Sequence, residues 1–346
     1  MKVFLLPNDK NAYKANLHCH SVLSDGRMTP EELKAAYMAE GYSVIAYTDH
    51  GVLLPHNDLA DKDFLPLNGY EFDVNEPKIG TKSPKVCHIC FIALDKDKTV
   101  QNIYYDSKHF EKNRHKLENA DSITLTPREY SPKFVSEIMR SGREQGFFVT
   151  YNHPVWSMET DEQYCNYHGM NAMEIVNYGC VVEGYDDRNG VIYDRMLEAG
   201  ERIYCIATDD NHNKYPKAHP GCDSFGGFTV ILADRLEYSA ITQALVDGSF
   251  YASEGPEIKE LYIEDGEIRI KTSEAASIVM NTGIRRARVA CADAVGETIT
   301  EGVFSGIDPT WQYVRFTVYD KFGKCAYTNA FFLDELPRGA LGEAAR

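Results

Sequence analysis

The chain has 346 residues, 43% hydrophobic and 25% charged; these proportions exclude a collagen-like, coiled-coil or mainly disordered chain and allow one large domain or two. Its 36 basic against 52 acidic residues leave a net charge of −16, which repels a phosphate backbone and argues against long nucleic acid as a partner. Nine scattered cysteines, an odd number, read as free thiols of a reducing compartment rather than as a disulfide framework. No apolar run approaches the ~20 residues of a membrane span. The run Val3–Leu6 is also far short of a secretory apolar core of about 7–15 residues, so a cytoplasmic protein without a membrane partner is expected.

In chain order, residues 15–19 read as a strand. A helix follows with clear punctuation: Thr29 as N-cap, Pro30 in the first position, Glu32 closing a capping box and Gly41 as the stop. Residues 43–47 form a second buried strand, residues 64–68 lead into Gly69-Tyr70-Glu71, and residues 86–94 form another. Within that last run Cys87 and Cys90 have redox spacing. However, the alternation sets Val86, His88, Cys90 and Ile92 on one face and Cys87 on the other, so a strand is the better reading. Residues 95–130 are polar and irregular, an insertion with some helix. Then come a helix over 133–145, strands over 147–151 and 172–176, a helix over 190–199, strands over 203–207 and 228–232, and a helix over 239–246. Such alternation predicts parallel βα units.

The pattern changes near Gly255-Pro256. Apolar runs at 261–263 and 268–271 flank Asp265-Gly266, a strong hairpin signal. Residues 277–280, 287–290, 314–318 and 328–333 continue as strands, with a turn at 321–324. The expectation is an α/β domain over 1–255 and a smaller all-β domain over 256–346, with the last ten residues a frayed tail.

Six of the eleven histidines lie in or at the ends of predicted strands, several beside a carboxylate. His18-Cys19-His20 ends the first strand, with Asp25 shortly after, and two residues i and i+2 face one side. Thr48-Asp49-His50 ends the second strand and Glu71 the third, while His88 lies in the fourth. Asn152-His153-Pro154 ends the strand over 147–151, and Asp209-Asp210-Asn211-His212 ends that over 203–207. In a barrel-like α/β fold these ends converge on one mouth. Nine potential ligands would then share a pocket: His18, His20, Asp25, His50, Glu71, His88, His153, Asp210 and His212. Imidazole with carboxylate suits zinc, manganese or iron. Nine ligands exceed the needs of one ion, so two to three divalent ions are expected, with a carboxylate such as Glu71 able to bridge.

This ordered set, HxH…D, then TDH, then a Glu, then three further positions ending in DxH, resembles the PHP family (polymerase and histidinol phosphatase domains) over about residues 13–253. The resemblance implies a distorted (β/α)7 barrel holding up to three metals, and hydrolysis of phosphoesters in many members. Asp210, not Asp209, has the DxH spacing, so Asp209 is expected behind the ligands. Gly221–Leu232 and Ala244–Ile258, followed by the β-rich end, look like a stand-alone branch with a C-terminal β domain, some of whose members cleave carbamate esters.

The expected reaction is attack of a metal-bridging hydroxide on a small phosphorylated substrate. Asp210 is the first candidate for proton transfer, with His212 or Asp25 as alternatives. A carbamate, ester or amide hydrolase using the same centre is the second reading. Phosphate calls for a cationic clamp. His219, Arg195 and Lys214 are the candidate substrate contacts, with Arg27, Lys82 and Lys217 also near the motifs. Trp156 and Tyr178 could line the pocket or simply pack. Oligomerisation stays open.

Overall fold

A computed structural model describes residues 2–80, 82–118, 120–337 and 339–341. The tail expected over the last ten residues lies largely outside them. The strands are β1 (Lys2–Phe4), β2 (Asn11–Asn16), β3 (Val44–Tyr47), β4 (Leu65–Asn75), β5 (Val86–Ala93), β6 (Phe147–Tyr151), β7 (Ala172–Asn177), β8 (Tyr204–Thr208), β9 (Phe228–Ala233), β10 (Phe250–Ser253), β11 (Ile258–Glu264), β12 (Glu267–Ala275), β13 (Ser277–Thr282), β14 (Ala287–Cys291), β15 (Ile299–Phe304), β16 (Tyr313–Tyr319), β17 (Cys325–Thr328) and β18 (Phe331–Phe332). The helices are α1 (Pro30–Met38), α2 (Lys108–Asn113), α3 (Pro132–Glu144), α4 (Asp161–Tyr164), α5 (Tyr178–Glu183), α6 (Gly190–Glu198) and α7 (Tyr238–Val246).

Local chemistry sets several of these boundaries. Thr29 caps α1 in a reciprocal box: its amide donates to Glu32 Oε2 at 2.8 Å and its hydroxyl accepts from Glu32 N at 3.2 Å. Ser131 accepts from Phe134 N to start α3, with Pro132 in the first position. The insertion does carry a short helix, α2. At the predicted hairpin, Asp265 and Gly266 both have positive φ (52° and 80°), which matches the right-handed twist of β11 and β12.

The fold is mixed α/β with a large mixed sheet. Its order is β14-β13-β16-β17-β10-β9-β2-β3-β4-β5-β6-β7-β8, with β18 on β16. The expected run of parallel units holds in two blocks, β2-β3-β4 and β6-β7-β8. Between them β4, β5 and β6 pair antiparallel. For β4 and β5 the reason is reach: only ten residues separate them, too few for the crossover that parallel pairing needs.

Nor is a closed barrel formed by strand pairing. Among the described residues no ladder joins β8 to β2. The two ends meet through one bridge, Cys19 with Asn211, flanked by Asp210 N→His18 O at 3.0 Å and His20 N→Asn211 O at 3.2 Å. The Asn16 side chain stands in for further ladder bonds, donating to Asn211 Oδ1 at 2.9 Å and accepting from Asp209 N at 3.0 Å.

Residues after Pro256 form strands apart from a 3-10 turn at Pro309–Trp311, but they do not make sheets of their own. β17 pairs with β10 of the large sheet, and β1 pairs with β11 in a second sheet ordered β1-β11-β12-β15. The apolar core there draws Leu6, Val230 and Tyr251 in with Ile270, Phe316 and Val318. No helix among the described residues is long and apolar enough to cross a membrane.

Candidate metal centre

The site lies where β2, β3, β6 and β8 end and where β5, running the other way, begins. His18 and His20 follow β2 in extended backbone, their Nε2 atoms 3.1 Å apart. Asp25 sits on the next turn, which Asp49 ties down: its carboxylate accepts from Ser21 N (2.9 Å), Ser24 N (3.0 Å) and both serine hydroxyls. Gly26 closes the turn because a Cβ there would come 2.4 Å from His20 O. His50 follows β3 and is bridged to Glu71, which projects from the middle of β4 with no solvent exposure. His153 and Asp210 both have positive φ (28° and 50°), strained backbone of the kind that persists where a site demands it.

Glu71 is the hub. Its Oε1 lies 2.9 Å from His88 Nδ1, 3.2 Å from His18 Nε2 and 3.4 Å from His153 Nε2. Its Oε2 lies 2.8 Å from His50 Nδ1 and 3.4 Å from His20 Nε2. Asp210 Oδ1 adds contacts to His20 at 3.0 Å and His18 at 3.2 Å. Asp25 Oδ1 lies 3.4 Å from His212 Nε2 and 3.7 Å from His50 Nε2. All nine predicted positions therefore meet in one place.

Whether these residues fit metal can be tested on the geometry. Glu71 Oε2 is fully buried and accepts no aligned hydrogen bond, despite the 2.8 Å approach of His50. Close but misaligned donors are what side chains aimed at a common ion produce. Donor atoms within 4.8 Å of one another form overlapping groups, notably His20-Asp25-His50-His212, His18-His20-Asp210 and His50-Glu71-His88. The imidazole and carboxylate set suits zinc, manganese or iron. The residues fit a divalent-metal centre.

The titration behaviour shows the same crowding. Burial lowers His20 to about 4, helped by neighbouring His50 and His212. Burial acts the same way on His50 and His153, yet adjacent Glu71 raises each to about 9. Burial would raise Glu71 and Asp210, but the surrounding imidazoles hold both well below the ordinary carboxylate range. Without a cation, neutral and charged imidazoles must coexist within one buried cluster.

Residues behind the ligands explain their orientation. Glu174, on β7 with no exposure, accepts from or faces His18 Nδ1 at 2.7 Å, His153 N at 2.9 Å and the Thr208 hydroxyl at 2.6 Å. Such a carboxylate sets the imidazole's orientation and raises its basicity. Sequence reasoning missed it, although a lone carboxylate inside the apolar run 172–176 was the available signal. Cys90 Sγ and Asn152 also enter the cluster. Asp209 lies behind Asp210, as expected. Burial pushes it up to about 6, against donors from Phe225 N, Gly226 N, Gly227 N and the Tyr37 hydroxyl.

A cavity of about 390 Å³ opens over the centre, its rim carrying Arg27, Trp156, Glu183, Lys214 and Asp223. Of the predicted cationic contacts, Arg27 and Lys214 line it, Lys214 paired to Glu183 at 3.2 Å. His219 does not: its ring stacks on Tyr215 (centroids 4.1 Å apart) and its Nδ1 accepts from Gly221 N. Arg195 does not either, because it points outward from α6 to Glu198 at 3.1 Å. Lys82 and Lys217 pair with Glu76 and Glu40 away from the cavity. Trp156 packs edge-on to His153 (centroids 5.0 Å apart) on the cavity wall. Tyr178 instead covers Gly226 and Gly227.

No family model matches the chain, and no curated protein matches it. Solved structures do. A two-domain protein containing a predicted PHP-like metal-dependent phosphoesterase, from Bacteroides vulgatus ATCC 8482, is 15% identical, covering 95% of this chain and 98% of its own at a TM-score of 0.42. A protein from Bifidobacterium adolescentis ATCC 15703, assigned as a metal-dependent phosphoesterase, is 14% identical over 60% of this chain and 91% of its own (TM-score 0.38). An amidohydrolase from Chromobacterium violaceum, with sulfate bound and no metal, is 16% identical over 57% and 87% (TM-score 0.34). A protein with a PHP-like domain thus stands among the structures similar to this chain. The superpositions are loose, and the reading of the centre rests on its own geometry.

Proposed function

We propose that this chain is a metal-dependent hydrolase of the PHP type, a phosphoesterase acting on a small phosphorylated molecule. The PHP unit would span residues 1–255, and the strands after 256 would buttress it. The observation that carries the reading is the gathering of six imidazoles and three carboxylates, five of the imidazoles set directly around buried Glu71, beneath a cavity rimmed by Arg27 and Lys214.

Two or three divalent ions bound there would supply Lewis acidity and a water deprotonated near neutral pH. The protein's own groups do the rest. Arg27 makes no side-chain hydrogen bond or ion pair among the described residues and stands free at the rim to hold a phosphoryl oxygen. Trp156 walls one side against water. Proton return to a leaving oxygen falls to Asp25 or His212, whose side chains are 39% and 22% exposed on the open side. Asp210, the first sequence candidate, is less suited: its oxygens are engaged by His18, His20 and Asn177.

The test is a substrate panel with manganese, zinc and iron: p-nitrophenyl phosphate, a bis-aryl phosphodiester and an aryl carbamate. Turnover of a phosphate ester that Arg27→Ala weakens mainly through KM is expected. Activity confined to the carbamate would overturn the phosphoester assignment and leave the metal centre standing.

A further inference from the structure

A second concave surface lies away from the metal cavity, between β9, the Leu6–Lys14 segment and the Glu254–Glu260 link. It measures about 720 Å³ and shares no lining residue with the cavity. In a chain of net charge −16 its walls carry four lysines: Lys10, Lys14, Lys259 and Lys324. Lys10 is neutralised by Asp234 at 2.7 Å. Two of the three glutamates in the lining are also engaged elsewhere, Glu254 by Arg188 at 2.7 Å and Glu260 by Lys271 at 3.1 Å.

Lys14, Lys259 and Lys324 remain without a carboxylate in ion-pair range among the described residues, against Glu257 alone. Lys14 Nζ touches one carbonyl, Glu40 O at 3.3 Å, and lies over the rings of Tyr42 and Phe228, 4.0 and 4.4 Å from their centroids. Lys324 Nζ likewise reaches only Glu254 O, at 3.2 Å. An ammonium has three donors, so both keep protons to offer. Burial lowers the proton affinity of Lys14; Asp209 and Glu40 offset part of this, while Lys324 and Lys217 add to it, and an anion in the groove would relieve the remainder.

The apolar wall is unusual as well. Phe225 lines the groove at φ 71°, a conformation that is an outlier for a bulky side chain. The Asp209 carboxylate holds it there through Phe225 N at 2.7 Å. Tyr251 and Phe228 continue the wall.

We propose that this groove binds a small organic dianion, a phosphomonoester whose head lies among Lys14, Lys259 and Lys324 and whose apolar body lies on Phe225 and Tyr251. A dianion balances the unpaired ammonium groups, whereas a monocarboxylate would leave excess positive charge. The site is independent of the metal-centre reading.

Titration calorimetry of the full-length, metal-loaded protein with phenylphosphonate, whose C–P bond resists ester hydrolysis, tests it. The native chain should bind one equivalent that survives in His18→Ala/His20→Ala. That equivalent should weaken roughly tenfold per lysine in Lys14→Gln/Lys324→Gln. The exposed single variant Lys259→Gln, checked for folding by circular dichroism, should show a smaller loss in the same direction. Equal stoichiometry and affinity in the native chain and all lysine variants would overturn the proposal, as would the absence of any equivalent in His18→Ala/His20→Ala. Inorganic phosphate binding as tightly as phenylphosphonate would overturn the part assigned to Phe225 and Tyr251.

Discussion

The floor of the metal cavity and the core beneath the C-terminal strands are equally dry, yet they are built by opposite rules. Glu71, His20 and His153 are as inaccessible as Ile270, Phe316 and Val318. In the core, burial follows strand alternation: β13 buries every second residue and so does most of β12, and apolar contact is its own reward. In the cavity, charged and polar side chains are buried against each other with misaligned contacts and an orphaned carboxylate oxygen. Such burial costs several kcal/mol per ion unless something compensates it. One region is thus complete within the chain, and the other is complete only with cations.

The largest expected effect breaks the comparison at the cavity. His18→Ala/His20→Ala should lose bound metal by elemental analysis, and turnover should fall to background. Full activity with full metal content would remove the centre from the account. Next, Phe316→Ala should destabilise the protein by about 3–5 kcal/mol in urea unfolding, while metal per folded chain stays unchanged. A matching loss of metal would mean that the two regions do not act separately. Glu174→Gln keeps the side-chain volume but weakens the orientation of His18, so metal affinity or activity should drop roughly 10–100-fold; titration with a competing chelator reads this. The smallest effect belongs to neither region. Thr29→Ala removes one cap of α1 and should cost about 1 kcal/mol, visible as a modest shift of the thermal midpoint with kcat intact.

Much of the ligand set was legible because its signals are local. His18 and His20 share a face two residues apart, and every further ligand but Asp25, which sits on the turn before α1, lies at a strand end or within a strand marked by its own apolar run. Glu174 was not legible as part of the site, because within 172–176 it reads as an isolated flaw in a buried strand. Its role appears only when β7 lies beside β8 and the β2 extension. The antiparallel β4-β5-β6 block was hidden for a similar reason: apolar runs announce strands but not their direction. His219 and Arg195 were misplaced because closeness in sequence to a motif does not set where a long side chain points. Tyr215 and Glu198 decide that.

What the sequence by itself determined is the inventory: caps at Thr29, the hairpin at Asp265-Gly266, and a roster of imidazoles and carboxylates too rich for a single ion. Local sterics and hydrogen bonding act within a few residues, so a linear reading captures them. Only the tertiary structure decided that Glu71 stands at the hub, that the segments after β2 and β8 meet through a single bridge, and that β1 and β10 tie the C-terminal strands to the rest. Those outcomes depend on which buried surfaces meet across tens to hundreds of residues of chain, and packing energy carries no label in the sequence for its distant partner.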